Sequence, residues 1–560
     1  MKIRVLSLMM TLMLAFVGAA KASTVEPEEN LAAENLSVYE SVNSAVIAWS
    51  GLENTSYKVS CTDGMGYSVT LYTNTTMVTF TGLNAATEYT VTIETQRGEH
   101  ASVSTNFTTG RYWNDAQAWP EGQIPGQGGN MTANVPENTT VVIRTDDNIT
   151  VNDIIVNDNS SIVIEEGGEL HYANAEGVNV TMSMNGNQNR DNDGYRLIAT
   201  PTYNNANEMY VSVESTGLME DYDNADLYSF DQNFKGAEWR NYKDVNGGGA
   251  FENLELGKGY LYYAPAMFGM FTGMSFPSSI DYSINLDYNT TGDVYFPGWN
   301  LLGNPYTCKA YPNMPFYVLN AEGSEVVAST VNYVLPMRGF FVVAETTGQT
   351  CIMSTTAPVT SSLNITLNQN NNVVDAAIVR FDNGGNLNKV QLDANHTKIY
   401  MPFDGKDYAV LQGAEMGEMP VSFKAECNGN YTLSFDNKDV EFSYLHLIDN
   451  MTGNDVDLLV NPSYSFSAQT TDYASRFRLV YATGSSVDGN SFAFFNSIGD
   501  LTIYGVEGTA TLQVMDFLGH IISSEQFSGN YEQKLNVAPG VYMIRLVNGN
   551  DVKVQKIVVK

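Results

Sequence analysis

Five histidines, His100, His171, His396, His446 and His520, are scattered over a chain of 560 residues. Any acid–base or metal chemistry that uses imidazole must therefore find its partner far away in sequence. No HExxH, GxSxG, phosphate-loop or dinucleotide fingerprint occurs. His446 sits between Leu445 and Leu447 on an alternating run, where a strand residue faces solvent or a satisfied pocket. The cysteines, Cys61, Cys308, Cys351 and Cys427, have neither CxxC spacing nor a neighbouring histidine, which removes support for thiol catalysis and zinc binding. Cys308 and Cys351 share one expected domain, so a disulfide between them stays open. Carboxylates are the remaining route to catalysis, and 62 Asp and Glu are too many to single out a pair. The reading is a protein that is not an enzyme, with no catalytic residue and no cofactor.

Two other patterns suit binding. Asp191 and Asp193, and further on Asp223 and Asp226, place several oxygens on turns, as calcium requires. Neither group completes an EF-type loop, and solvated turns compete with the metal reading. Trp239, Tyr260, Tyr262 and Trp299 are the candidate glycan contacts, since aromatic rings on a β-platform stack on sugar faces. Core packing is the competing role for the same rings. The net charge of -34 repels nucleic acid and anionic lipid, so neither is an expected partner.

The elements that would position these residues are strands almost throughout. Lys2 and Arg4, an apolar run from Val5 to Val17 and the small-residue site Ala20-Lys21-Ala22 read as a secretory signal peptide over 1–22. No other run reaches membrane-spanning length, so no transmembrane helix is expected in the mature chain. After a linker at 23–34, residues 35–110 alternate in short runs around Trp49, Tyr57 and the Gly82-Leu83…Tyr89 corner, and this segment resembles a fibronectin type III domain. Residues 111–185 open with Trp113, Trp119-Pro120 and Ile124-Pro-Gly126. Apolar triplets then recur between Asn, Asp and Gly, the pattern of a short β-solenoid, with a small sandwich as the alternative.

Residues 186–360 carry an internal duplication. Gly194-Tyr-Arg-Leu-Ile-Ala-Thr-Pro201 is echoed by Gly298-Trp-Asn-Leu-Leu-Gly-Asn-Pro305, Leu227–Phe230 by Phe316–Leu319, and Gly257-Lys-Gly-Tyr-Leu-Tyr-Tyr-Ala264 by Met337-Arg-Gly-Phe-Phe-Val-Val-Ala344. Residues 361–481 read as a further β-sandwich, and 482–489 as a linker. The fold class expected is all-β, a multi-domain string of β-sandwiches with a short β-solenoid segment.

The chain ends, over 490–560, on Asp516-Phe-Leu-Gly519, Ala538-Pro-Gly-Val-Tyr542 and a basic, apolar Lys553-Val-Gln-Lys-Ile-Val-Val-Lys560. These motifs resemble the C-terminal sorting domain (type A) of type IX secretion cargo in Bacteroidetes. The resemblance implies that Gly540, Tyr542, Lys553, Lys556 and Lys560 belong to the sorting signal and that the partner is the type IX machinery. It also implies a secreted or outer-membrane surface location in a Gram-negative cell. Three functions follow as expectations: a non-catalytic binding or adhesion protein with a glycan or host-matrix ligand, a glycan-active lyase or hydrolase built on the solenoid, and a purely structural stalk.

Overall fold

In a computed structural model of the chain, the residues described are 34–51, 55–96, 102–127, 131–174, 176–185, 194–219, 222–244, 251–265, 268–291, 294–389, 396–484, 492–495, 500–504, 506, 508–549 and 551–559. The expected signal peptide, the linker at 23–34 but for its last residue, and the linker at 482–489 but for its first three residues, two of which end the strand Phe477–Thr483, lie outside them, as do His100, Asp191, Asp193 and Lys560. Among the described residues, strands make up the regular structure apart from three single-turn 3-10 helices, so the chain is all-β. It divides into two compact units, residues 1–325 with 331–358 and residues 326–330 with 359–560.

The first unit begins with a seven-stranded sandwich. Glu34–Glu40, Ser44–Ser50 and Met77–Thr81 form one sheet; Tyr57–Thr62, Ser68–Thr73, Glu88–Thr95 and Ser102–Thr108 form the other. Alternation puts Ile47, Trp49, Tyr57, Val59, Val91 and Ile93 between the sheets. The buried Tyr89 hydroxyl accepts the Asn84 N–H at 2.8 Å and so ties down the loop before its own strand.

Parallel rungs follow. Thr132–Val135 pairs with Asp153–Val156, Thr140–Ile143 with Ser161–Glu165, and Asn148–Thr150 with Glu169–His171. Each register (Thr132↔Asp153, Thr140↔Ser161, Asn148↔Glu169) is offset by the same 21 residues, so like residues stack: Val141 on Ile162, Ile143 on Ile164, Ile149 on Leu170. The tryptophans of the entry motif cap the stack. Trp119 Nε1 donates to the Trp113 carbonyl at 2.7 Å and Trp113 Nε1 to the Pro125 carbonyl at 3.1 Å, which satisfies both buried indoles.

The boundary expected at 185/186 does not hold. Val178–Asn185 continues the parallel sheet and then pairs antiparallel with Phe268–Ser275 over eight residues. A single hydrophobic cluster runs from Trp113 through Ile164 and Met182 to Tyr260 and Met337. Rungs this few leave an apolar end uncovered, and the duplicated region covers it.

The duplication itself folds as two equivalent sheets. In the first half Arg196–Ala199 pairs with Gly259–Tyr263 (Arg196↔Tyr262, Ala199↔Gly259); in the second Trp299–Gly303 pairs with Gly339–Val343 (Asn300↔Val342, Gly303↔Gly339). The registers coincide under the sequence repeat. The halves meet reciprocally: the Ala199 N–H donates to the Met337 carbonyl at 3.1 Å and the Gly303 N–H to the Gly257 carbonyl at 2.8 Å. Isolated bridges Ile198↔Arg338 and Lys258↔Leu302 repeat the same exchange. A pseudo-two-fold axis therefore passes between the halves. Close backbone approach there requires glycine, because a Cβ on Gly259 would lie 2.4 Å from the Leu302 carbonyl oxygen.

In the second unit, eleven strands between Ser362 and Thr483 form one continuous sheet that folds over its own core. Its two ends are tied by Asp449, which is 1% exposed and accepts both Nε (3.2 Å) and Nη2 (2.9 Å) of Arg476 as well as the Tyr464 hydroxyl (2.9 Å).

Gly259→Ala is expected to destabilise the first unit by about 1–3 kcal/mol through overpacking, read as a lower midpoint for that unit alone in calorimetric unfolding. An unchanged midpoint would remove the glycine requirement at the axis.

Candidate functional site

Two places carry functional geometry: the C-terminal tail and a cleft in the duplicated region. In the tail, Ile521–Ser528, Thr509–Asp516, Gly540–Asn548 and Asp551–Val559 form a four-stranded sheet in that order. Ile544, Leu546 and Ile557 fill a core with Leu501, Ile503, Leu512 and Val514. The last two strands pair over nine residues, and Gly549, at φ +62°, makes the turn between them. Tyr542 is half-buried, opposite Ile557, and donates its hydroxyl to the Ala538 carbonyl at 2.7 Å. Lys553 lies opposite Leu546 and Lys556 opposite Met543, so these two lysines of the expected signal fall on opposite faces of the hairpin. Gly540 opens the strand with ordinary room around its Cα. Asp516 shapes the other hairpin: its Oδ1 accepts the N–H groups of Leu518 and His520, leaving Phe517 75% exposed at the tip.

The cleft, of about 600 Å³, lies along the open flank of the pseudo-two-fold axis. Phe230, Leu256, Trp299, Leu301 and Leu302 line its depth, and Asp231, Phe234, Arg240, Glu255, Lys258, Asn285 and Asp287 stand around it. Gln232, only 2% exposed, fixes one wall. Its Nε2 donates to the carbonyls of Asp287 (2.8 Å) and Trp299 (3.2 Å), and its Oε1 accepts the N–H groups of Gly298 (2.7 Å) and Asn289 (3.2 Å). A larger concavity in the second unit, about 680 Å³, is lined by Asn, Ser and Thr with Tyr431 and Phe466, both rings buried, and offers neither a charged group nor an exposed aromatic surface.

The four candidate glycan contacts are placed differently from the expectation. Trp239, Tyr260 and Tyr262 are buried to 3%, 1% and 1%, and Trp299 to 9%. Tyr262 gives its hydroxyl to the Leu218 carbonyl, Tyr260 receives the Glu255 N–H, and Trp239 packs edge-on against Phe230 and Phe341. They are core residues packed between layers; of the four, only Trp299 reaches the cleft. Among the described residues, the exposed rings of the region are Phe234 (45%), Tyr222 (48%) and Tyr295 (56%), each with a cation over it: Arg240 at 4.1 Å, Lys243 at 5.3 Å and Lys235 at 5.2 Å. Loop residues of this kind lack the periodicity that marks a strand face.

Asp223 and Asp226, the calcium candidates, stand beside a lysine: the Lys243 ammonium lies 3.6 Å from Asp226 Oδ1 and 3.5 Å from the Asp223 carbonyl oxygen. Among the described residues no three potential ligands gather. The cysteines are free thiols, and burial pushes Cys351 up to about 12. Four histidines each meet a carboxylate and none meets another histidine: His171 Glu169, His396 Glu426, His446 Asp455 and His520 Asp516.

Three carboxylates on the solenoid, Glu165, Glu166 and Glu169, are used internally. Glu165 accepts the Ser41 hydroxyl at 2.7 Å, Glu166 accepts Arg196 (3.1 Å) and Arg338 (2.5 Å), and Glu169 accepts the Lys309 ammonium at 2.6 Å and its N–H at 3.0 Å. Burial alone would push the Glu169 carboxyl up, but hydrogen bonds from His171 and Lys309 outweigh it and hold it at about 2.

Residues 497–560 match the family of secretion system C-terminal sorting domains. That tail supports the chain's assignment as type IX secretion cargo, and with it a secreted or cell-surface location. No curated protein matches the chain. Solved structures with some likeness include a computer-redesigned β-sandwich protein (26% identity, 14% of this chain and 88% of that chain, TM-score 0.13). Others are the BSP domain of a biofilm-associated protein (7%, 97% and 99%, 0.14) and native E. coli alpha-2-macroglobulin (8%, 94% and 40%, 0.11). TM-scores this low assign neither fold nor function. Among the described residues no helix is long and apolar enough to cross a membrane.

A depressed folded-state value means that Glu169 stabilises the first unit fully above pH 4.5, its ordinary value, and loses that contribution as pH falls toward 2. The loss amounts to roughly 3 kcal/mol. Glu169→Gln is therefore expected to flatten the acid limb of the first unit's unfolding profile between these values; an unchanged limb would show that the carboxylate is not coupled to folding.

Proposed function

We propose that this is a type IX cargo protein acting outside the cell as a non-catalytic binding or adhesion protein, with the duplicated region as its ligand-facing part. The observation that carries the export half is the match of residues 497–560 to the sorting domain, on a hairpin that ends the described chain. The expected signal peptide gives the first step of the route and the tail the second.

Support for binding rather than catalysis comes from the solenoid. Three of its carboxylates, Glu165, Glu166 and Glu169, are engaged in holding neighbouring segments. The N-terminal sandwich, with its Trp49 core and Tyr89 corner, serves in this reading as a fibronectin type III-like spacer. Its attachment is firm: Thr140 donates to Glu40 at 3.2 Å, and Val42 packs on Val142 and Val163.

Removing Tyr542 to Lys560 in the native host is expected to leave the protein in the periplasm with the first unit still folded. Fractionation that finds the truncated chain at the surface in normal amount would overturn the export reading.

A further inference from the structure

We propose that the open cleft beside the pseudo-two-fold axis is a carbohydrate-binding site in which a sugar ring stacks on Phe234. The inference rests on the reading of the protein as an extracellular binder and names the ligand class of that same region.

The pseudo-symmetry makes the cleft more than a surface irregularity. Each repeat offers an equivalent flank, built from the first strand of one half and the strand-opening turn of the other. On one flank Arg196 and Arg338 close on Glu166 of the solenoid, so that flank is filled. On the other, the equivalent positions are Asn300 and Lys258, no solenoid turn inserts among the described residues, and the depression stays open over Trp299, Leu301 and Leu302. Asn300 has also turned inward, donating to the carbonyls of Gly298 (2.7 Å) and Asp287 (2.9 Å), which shapes the wall instead of gripping a neighbour. The open flank is therefore a preformed concavity with an apolar floor and a polar rim, the general construction of a ligand site.

The lining selects among ligand classes. Three carboxylates, Asp231, Glu255 and Asp287, stand with Arg240 and Lys258, so the rim supplies both acceptors and donors and has no cationic excess. A polyanion would meet repulsion from this rim and from the whole chain. A lipid would leave the charged rim unsatisfied. Sugars carry hydroxyls that donate and accept, together with an apolar C–H face, and Phe234 supplies the matching ring. Arg240 lies over that ring at 4.1 Å while the side chain keeps 45% of its surface exposed, so the platform is braced yet accessible. The competing occupant is an extended peptide, because Tyr282–Asn285 is an edge strand of its sheet and borders the cleft.

The test uses the full secreted chain in affinity electrophoresis against neutral and acidic polysaccharides, with surface display followed separately. Retardation by a neutral polysaccharide is expected, weakened about tenfold by Phe234→Ala. Ser283→Trp, which fills the rim, should weaken it too, and Tyr72→Ala, an exposed ring of the N-terminal sandwich, should leave it unchanged. An unaltered unfolding midpoint of the first unit confirms that Phe234→Ala is folded. The proposal is overturned if no polysaccharide retards the protein, if Phe234→Ala binds as the parent does, or if the cleft variants abolish binding of an extended peptide instead. A protein that reaches the surface through its tail yet ignores glycans would sink this inference alone. Display that is independent of the tail would sink the export reading.

Discussion

One carboxylate, that of Glu166, is shared by two arginines from opposite halves of a duplicated sequence. Arg196 opens the first strand of one half and Arg338 the strand-opening turn of the other, and both guanidinium groups end on the same turn of the solenoid. Bringing Arg196 to 8% exposure is costly unless the charge is met, so the three groups must be placed together or not at all. That constraint fixes the axis of the duplicated sheets against the rungs. The second contact, Glu169 with Lys309, and the exchange of hydrogen bonds between Leu170 and Thr307 hold the same surface along a neighbouring rung edge.

From this docking follows an inequivalence that the repeat alone would not produce. Two copies of one supersecondary unit, packed about an axis, offer two identical flanks. A solenoid of few rungs can cover only one of them, since its exposed apolar end is single. The residues differ with the asymmetry: the covered flank has two arginines on a carboxylate, and the open flank has an inward-facing amide and a lysine paired with the exposed Glu255. The covered flank contributes stability, and the open one is released from that task.

In the second unit the organising contact is of the same kind. Asp449 and Arg476 are buried to 1% and 3%, and the Tyr464 hydroxyl completes the cluster, with Arg476 also lying over the Phe466 ring at 4.5 Å. Hydrogen bonds from Arg476, the Met451 N–H and Tyr464 outweigh burial and hold the Asp449 carboxyl below its ordinary value. Net negative charge over the rest of the surface keeps such a chain dispersed, while these few buried pairs specify which strands meet.

By itself the sequence determined the class of each element and the address of the whole. Alternation with period two shows in Ala45–Trp49, Leu363–Leu367 and Gly540–Val547, because a strand with one buried face must alternate. The duplication was legible because equivalent strands need the same Gly, aromatic and Leu positions at the axis. The tail motif was legible because it lies within one continuous segment. Tertiary structure alone decided where the aromatic residues point: Tyr260 and Tyr262 read like a platform, yet both are buried, since in a fully buried strand side chains on either face meet packed layers. It also decided that Asp223 and Asp226 face Lys243, that no packing boundary falls at 185, and that the cleft is ringed by Phe234, Glu255 and Asp287. Those residues come from loops and strands as much as 53 positions apart. Periodicity reports on one element's own faces, whereas a site made between two halves depends on how they dock.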